Sequence, residues 1–120
     1  MKAKDELGRR GEQLACDYLS QGGYAVVGRN WRCAQGEIDV IAERGGVTAF
    51  VEVKTRSGLR YGHPFEAITV AKLARLKRLS AAWCEACDEG GRPRRIRIDL
   101  IGVVAPPGRV ASIEHLEGVF

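Results

Sequence analysis

The sequence predicts a small α/β domain: a mixed β-sheet with helices covering its faces. Three observations carry this. The periodic segments run helix, three strands, helix, strand, strand. The first three strands are joined by short polar connections, as a meander requires. The long second helix lies between two strands, and such a crossover delivers the next strand parallel to the last.

Residues 4–21 read as the first helix, with Leu7, Leu14, Ala15, Tyr18 and Leu19 forming one apolar stripe and Gly22-Gly23 ending it. Gly8 and Gly11 lie inside that helix. Each costs up to ~1 kcal/mol relative to alanine, so their presence points to close approach of another backbone or a ligand. Residues 24–28 form a short strand, followed by Arg29-Asn30-Trp31-Arg32 and a polar connection. The apolar runs 38–42 and 47–53 flank Glu43-Arg44-Gly45-Gly46, a hairpin connection.

Pro64 suits the first turn of the second helix, after the glycine-containing loop 57–63. This helix extends to about Cys87, with Ile68, Leu73, Leu76, Leu79 and Trp83 inward and Lys72, Arg75, Lys77 and Arg78 mostly outward. Asp88-Glu89-Gly90-Gly91 ends it. Residues 94–104 read as a strand, alternating at first through Ile96, Ile98 and Leu100, and Pro106-Pro107-Gly108 turns the chain into a last strand near 110–116. The expectation is one domain over residues 1–120, its core about 4–116.

Composition agrees with this size. A chain of 120 residues, 45% hydrophobic and 28% charged, is ordinary for a soluble domain, and at this length it buries ~65–70% of its unfolded surface. No apolar run reaches the ~18–20 residues that span a bilayer, and no hydrophobic export core follows the N-terminus. A cytoplasmic protein without a membrane partner is expected. The net charge of +4 is compatible with a polyanionic partner, but its distribution decides more than its total. Of the cysteines Cys16, Cys33, Cys84 and Cys87, the last two form a lone C-x-x-C late in a helix, without a second pair at zinc-site spacing. Structural thiols are expected rather than disulfides.

The segments Gly36-Glu37-Ile38-Asp39 and Phe50-Val51-Glu52-Val53-Lys54 place ionised groups inside apolar strands. Charged residues are seldom fully buried unless paired or metal-bound. Pairing the two strands across residues 43–46 sets Ala42 against Val47 and Asp39 against Phe50. Side chains alternate with period two, so Asp39, Glu52 and Lys54 share a face, and Asp39 and Glu52 become diagonal neighbours roughly 7–8 Å apart. A one-residue slip would separate them. Glu37 has the same parity and forms an outer member.

Two carboxylates at this spacing suit a hard divalent cation, Mg2+ or Mn2+. The Val53 carbonyl is a natural further ligand, and Glu12 supplies a third carboxylate if the first helix packs over this face. A lysine on the same face can stabilise charge on a phosphate under attack. The competing reading is a buried salt-bridge network, which is often no more stable than a hydrophobic replacement.

Asp39, a twelve-residue gap and Glu52-Val53-Lys54 resemble the PD-(D/E)xK motif of restriction-endonuclease-like nucleases. A wider set resembles the YraN-like family of small bacterial proteins: Gly11-Glu12, Ala15, Tyr18-Leu19, Gly23-Tyr24, Asn30, Gly36 to Asp39, Phe50 to Lys54, Arg56, Ala67-Ile68, Lys72 and Arg97-Ile98-Asp99. The resemblance covers about residues 8–104, although Ile38 replaces the proline of the bare motif. That family is similar to archaeal Holliday-junction resolvases. The resemblance implies a restriction-endonuclease-like fold, with catalytic roles on Glu12, Asp39, Glu52 and Lys54.

Arg56 shares the parity of Lys54 and extends positive charge from the site. Arg29, Arg32, Arg60, Lys72 and Arg75 are candidate phosphate contacts, against an ordinary solvated surface. Trp31 reads as a stacking or a packing residue, Trp83 as core, and His63 as a loop histidine that could face the site. His115 carries no signal. Arg92, Arg94, Arg95 and Arg97 form an outward strand face or a second phosphate-binding edge.

The expected function is a nucleic-acid-binding, Mg2+- or Mn2+-dependent endonuclease acting on DNA, including branched DNA. The alternative is a non-catalytic nucleic-acid-binding or protein-adaptor module on the same fold. A homodimer is expected only if junctions are resolved, because that needs two sites.

Overall fold

The computed structural model describes residues 3–60, 62–87 and 95–120. The stop signal at 88–91, Arg92 and Arg94 lie outside the described residues. Helix α1 spans Ala3–Gln21 and ends in a Schellman arrangement: the Tyr24 N–H donates to the Leu19 carbonyl and the Gly23 N–H to that of Ser20. Strands β1 (Ala25–Cys33), β2 (Gly36–Arg44) and β3 (Val47–Arg56) form the meander. A 3-10 turn at Pro64–Ala67 leads into helix α2 (Val70–Cys87), then β4 (Arg95–Val104) and β5 (Ser112–Leu116).

The five strands lie in sequence order, with β3 and β4 parallel and the other neighbours antiparallel. The architecture is the expected α/β mixed sheet, compatible with a restriction-endonuclease-like fold. Helix α1 buries Ala15, Cys16 and Leu19 against Val40, Ala42, Ala49, Val51, Ile101 and Val103. On the other face, α2 sets Leu76, Leu79 and Trp83 on Ile38, Ile41, Phe50 and Ile98. Phe50 and Trp83 meet edge to face, 5.5 Å between centroids. Each such buried side chain contributes roughly 1.5–3 kcal/mol.

Three expectations are corrected. The connection between β2 and β3 is two residues rather than four: Gly45 and Gly46 both take positive φ (59° and 77°), the conformation of a tight hairpin turn matched to strand twist. Glu43 and Arg44 therefore join β2, and the register becomes Ala42 with Ala49 and Val40 with Val51. This is a shift of two residues, so the facing of every side chain is preserved. The first strand runs on through Arg29 to Cys33, tolerating a register irregularity between Val26 and Gly28 and a left-handed Asn30 (φ 51°). The second helix opens later than Pro64. Ile68 is extended, and Thr69 caps α2 by accepting the Lys72 N–H on its hydroxyl (3.2 Å) and the Leu73 N–H on its carbonyl (3.1 Å).

The two helix glycines differ. A Cβ on Gly11 would lie 1.8 Å from Thr55 Oγ1, so α1 crosses β3 at closest approach there. A Cβ on Gly8 would meet nothing within 4 Å; Gly8 instead borders an open cleft. In urea denaturation, Gly11→Ala is expected to destabilise by about 1–3 kcal/mol through overpacking, whereas Gly8→Ala is expected to stabilise by about 0.5–1 kcal/mol through helix propensity.

A candidate active site where two strands part

The ladder between β2 and β3 reaches from the turn to Val40 and Val51 and then ends. Carried one step further, that register sets Asp39 against Glu52, directly opposed rather than diagonal, the result of the two-residue register shift. There the Val53 N–H donates to Asp39 Oδ2 at 2.9 Å, a side chain taking the place of a ladder partner. The parting strands open a cleft of about 430 Å³, walled by Leu7, Gly8 and Glu12 from α1, by Asp39 and residues 52–56 from the sheet, and by Ser57 just after β3. Every residue given a catalytic or metal role from sequence borders this cleft: Glu12, Asp39, Glu52, Val53 and Lys54.

The electrostatics of the cleft are unbalanced. Burial, followed by the charge of Glu52, pushes the Asp39 carboxyl up to about 7, against the Val53 hydrogen bond. Burial also raises Glu52, opposed by Lys54, Lys72 and Arg75. Lys54 Nζ stands 3.9 Å from Glu52 Oε1, too long for a hydrogen bond. Glu12 is raised by burial against a hydrogen bond from Asn30 and the charge of Arg29. Its Oε1 is buried without a partner, and so is Nε of Arg56. Glu37 adds negative charge to both Asp39 and Glu52 while pairing with Arg32 at 2.6 Å.

Oxygen donors held together against their own repulsion, with an orphaned carboxylate oxygen nearby, fit a hard divalent cation. The arrangement is open rather than a closed cage: among the described residues no three Asp, Glu, His or Cys side chains form a metal-ligand cluster. Asp39, Glu52 and the Val53 carbonyl would hold the ion, with Glu12 approaching from α1.

The candidate phosphate contacts separate by position. Arg56 enters the cleft. Lys72 and Arg75 reach Glu52 electrostatically from α2, and Arg29 reaches Glu12. Arg29 also donates to Gln13 Oε1 at 2.9 Å, Arg32 is held by Glu37, and Arg60 is exposed in the loop after β3. Trp31 packs against the α2-side core. His63 caps the 3-10 turn, accepting the Phe65 N–H on Nδ1, and meets Glu114 at 2.8 Å through Nε2. Cys16, Cys33 and Cys87 are free thiols.

Sequence reasoning missed two features. Asn30 positions Glu12; its signal was an asparagine, a residue that tolerates left-handed backbone, directly after Arg29. The second is a buried network on β4. Asp99, fully buried, accepts from Arg97 at 2.8 Å through both oxygens, from the Gly118 N–H at 3.0 Å, and from His115 Nε2 at 2.7 Å. Tyr18 bonds His115 Nδ1 at 3.2 Å, and Arg97 also donates to the Tyr24 hydroxyl. Burial alone would raise Asp99, but the bonds from His115, Arg97 and Gly118 hold it down to about 2. Its signal was Arg97 and Asp99 sharing one strand face at i and i+2.

Residues 11–103 match the uncharacterised protein family UPF0102, the YraN family. The chain belongs to this family. Among its UPF0102 relatives, the protein of Leifsonia xyli subsp. xyli is 52% identical over 99% of both chains. That of Arthrobacter sp. (strain FB24) is likewise 52% identical over 99% of both. The Pseudarthrobacter chlorophenolicus relative is 55% identical over 99% of this chain and 89% of its own. The family match takes in Glu12, Asp39, Glu52, Lys54 and Arg56, and also Asp99, but stops short of His115.

Two pH effects of opposite sign follow for this UPF0102 protein. Asp39 binds its proton more tightly folded than unfolded (about 7 against 3.8), so its contribution is full below pH 4 and is lost as pH rises through 7. Metal-free protein is expected to lose stability between pH 4 and 7, by at most about 1.4 kcal/mol per pH unit, and Asp39→Asn is expected to flatten that loss. Asp99 is depressed, so its contribution is present above pH 4 and lost as pH falls toward 2. Asp99→Ala strands Arg97 and is expected to cost about 3–5 kcal/mol in urea denaturation at pH 7.

Proposed function

We propose that this chain is a divalent-metal-dependent nuclease, hydrolysing DNA phosphodiesters with Mg2+ or Mn2+ in the Asp39–Glu52 cleft. The observation that carries the reading is the coexistence in one cleft of two unsatisfied groups of opposite kind: a carboxylate oxygen of Glu12 lacking a donor or cation, and a guanidinium nitrogen of Arg56 lacking an acceptor. A phosphodiester and its counter-cation supply both.

A bound divalent cation would polarise the phosphate and acidify a coordinated water. The remaining work falls to the chain. Asp39 and Glu52 present oxygens from opposite strands, and the Val53 N–H fixes the Asp39 carboxylate. Lys54, held beside Glu52 on β3, donates to a phosphate oxygen as negative charge develops on it. Arg56 binds a neighbouring phosphate oxygen through Nε. Glu12, oriented by Asn30, is poised to accept a proton from water, because burial has raised its affinity for one. The cytoplasm is the compartment this reading assigns, in keeping with the free thiols of Cys16, Cys33 and Cys87 and with described helices none of which is long and apolar enough to cross a membrane.

The open ligand arrangement favours a second reading, a nucleic-acid-binding or protein-adaptor module that keeps the fold without turnover. Incubation with Mn2+ and a panel of single-stranded, duplex, flap and four-way-junction DNAs separates the two. Cleavage is expected, with removal by EDTA and a loss of ~10²-fold or more in Asp39→Ala and Lys54→Ala. Intact substrates throughout, or cleavage undiminished in Asp39→Ala, would favour the module. Two-fold paired nicks in a junction, if seen, would require a homodimer.

A further inference from the structure

Helix α2 carries a surface feature that the cleft chemistry does not use. Lys72, Arg75 and Arg78 recur at every third residue and, with Ala71, line a shallow open groove of about 340 Å³. This i, i+3 row climbs 4.5 Å per step along the helix and slants across its surface.

Among the described residues no carboxylate forms an ion pair with the row, and Glu52 reaches only its first two members. Within α2 the sole acid is Glu85, near the far end of the helix. Lys72 donates to the Ala67 carbonyl at 3.0 Å, which fixes its head at the beginning of the groove. A solvated surface helix typically interleaves charges of both signs. This row has one sign only.

The row also has a direction. A Cβ on Gly36, three residues before Asp39 at the start of β2, would lie 3.8 Å from Arg75 Cδ, and Lys72 and Arg75 act electrostatically on Glu52, so the groove begins on the side of the acidic pair, with Arg78 one step further along the helix. Arg56 lies within the cleft itself. Cations therefore flank the acidic pair on β3 and on α2.

We infer that the α2 groove is the track for the phosphodiester backbone of a DNA strand leading into the cleft. This inference rests on the nuclease reading and names its substrate class: a strand that continues past the reactive phosphodiester on the α2 side, in contrast to a small phosphate ester. Affinity from the row is electrostatic and independent of base sequence.

The test measures binding by anisotropy in EDTA, without turnover, using fluorescein-labelled 30-mer single-stranded and duplex DNA over a series of KCl concentrations. The groove variant is Lys72→Gln/Arg75→Gln/Arg78→Gln. The charge-matched control is Arg10→Gln/Lys77→Gln/Arg109→Gln, and both are first confirmed folded by circular dichroism and urea midpoint. The slope of log affinity against log salt is expected to become shallower by about 2–3 in the groove variant and by less than about 1 in the control. Equal changes in the two variants, or a wild-type chain without salt-dependent binding, would overturn the inference. The cleavage panel stays independent. Cleavage with groove-insensitive binding removes the track alone, and groove-dependent binding without cleavage removes the nuclease alone.

Discussion

Two acids face each other where a β-ladder ends, and the rest of the site is arranged around their repulsion. Asp39 and Glu52 are both desolvated, and among the described residues the ion pair they form is a long one, the Lys54 ammonium standing 3.9 Å from Glu52. Asp99 provides the contrast within the same sheet. It is more deeply buried, yet four donor contacts satisfy it and hold its proton affinity low. One fold treats buried carboxylates in two ways. The satisfied one fastens the C-terminal segment to β4 through Gly118 and His115, and the pair at the open cleft is held more sparsely, by the Val53 N–H on Asp39 and by Lys54 at a distance from Glu52.

The fold supplies this placement through few constraints. The Gly45-Gly46 turn sets the register that brings Asp39 opposite Glu52. Gly11 lets α1 approach Thr55 closely enough to bring Glu12 to the cleft wall. The parallel pairing of β3 and β4 sends the chain across the opposite face, where α2 carries Lys72 and Arg75 toward Glu52. Stability and site geometry are thus tied: the packing that buries the core also desolvates the acids.

Much of this was legible in sequence because side-chain parity survives errors in register. Reading residues 43–46 as a four-residue connection misplaced the pairing by two positions, yet Asp39, Glu52 and Lys54 still reached a common cleft. The order of elements and the parallel crossover could be read from periodicity and length. What could not be read depended on non-local partners. Asp99 meets His115 and Gly118 only after β5 folds back, and nothing near His115 announces this. Thr69 and Ile68 overrode Pro64 as the start of α2, a contest between caps that composition does not decide. Asn30 lay in what read as a loop, because a left-handed residue and a register shift conceal the continuation of β1.

The central claim is that Asp39 and Glu52 together form a cation site. Titration calorimetry with Mn2+ at pH 6.5, repeated in buffers of different ionisation enthalpy, tests it most directly. The account expects one cation per chain, bound with release of protons from the pair, and loss of that binding in Asp39→Asn. Absence of binding, or binding unchanged in the variant, would contradict it.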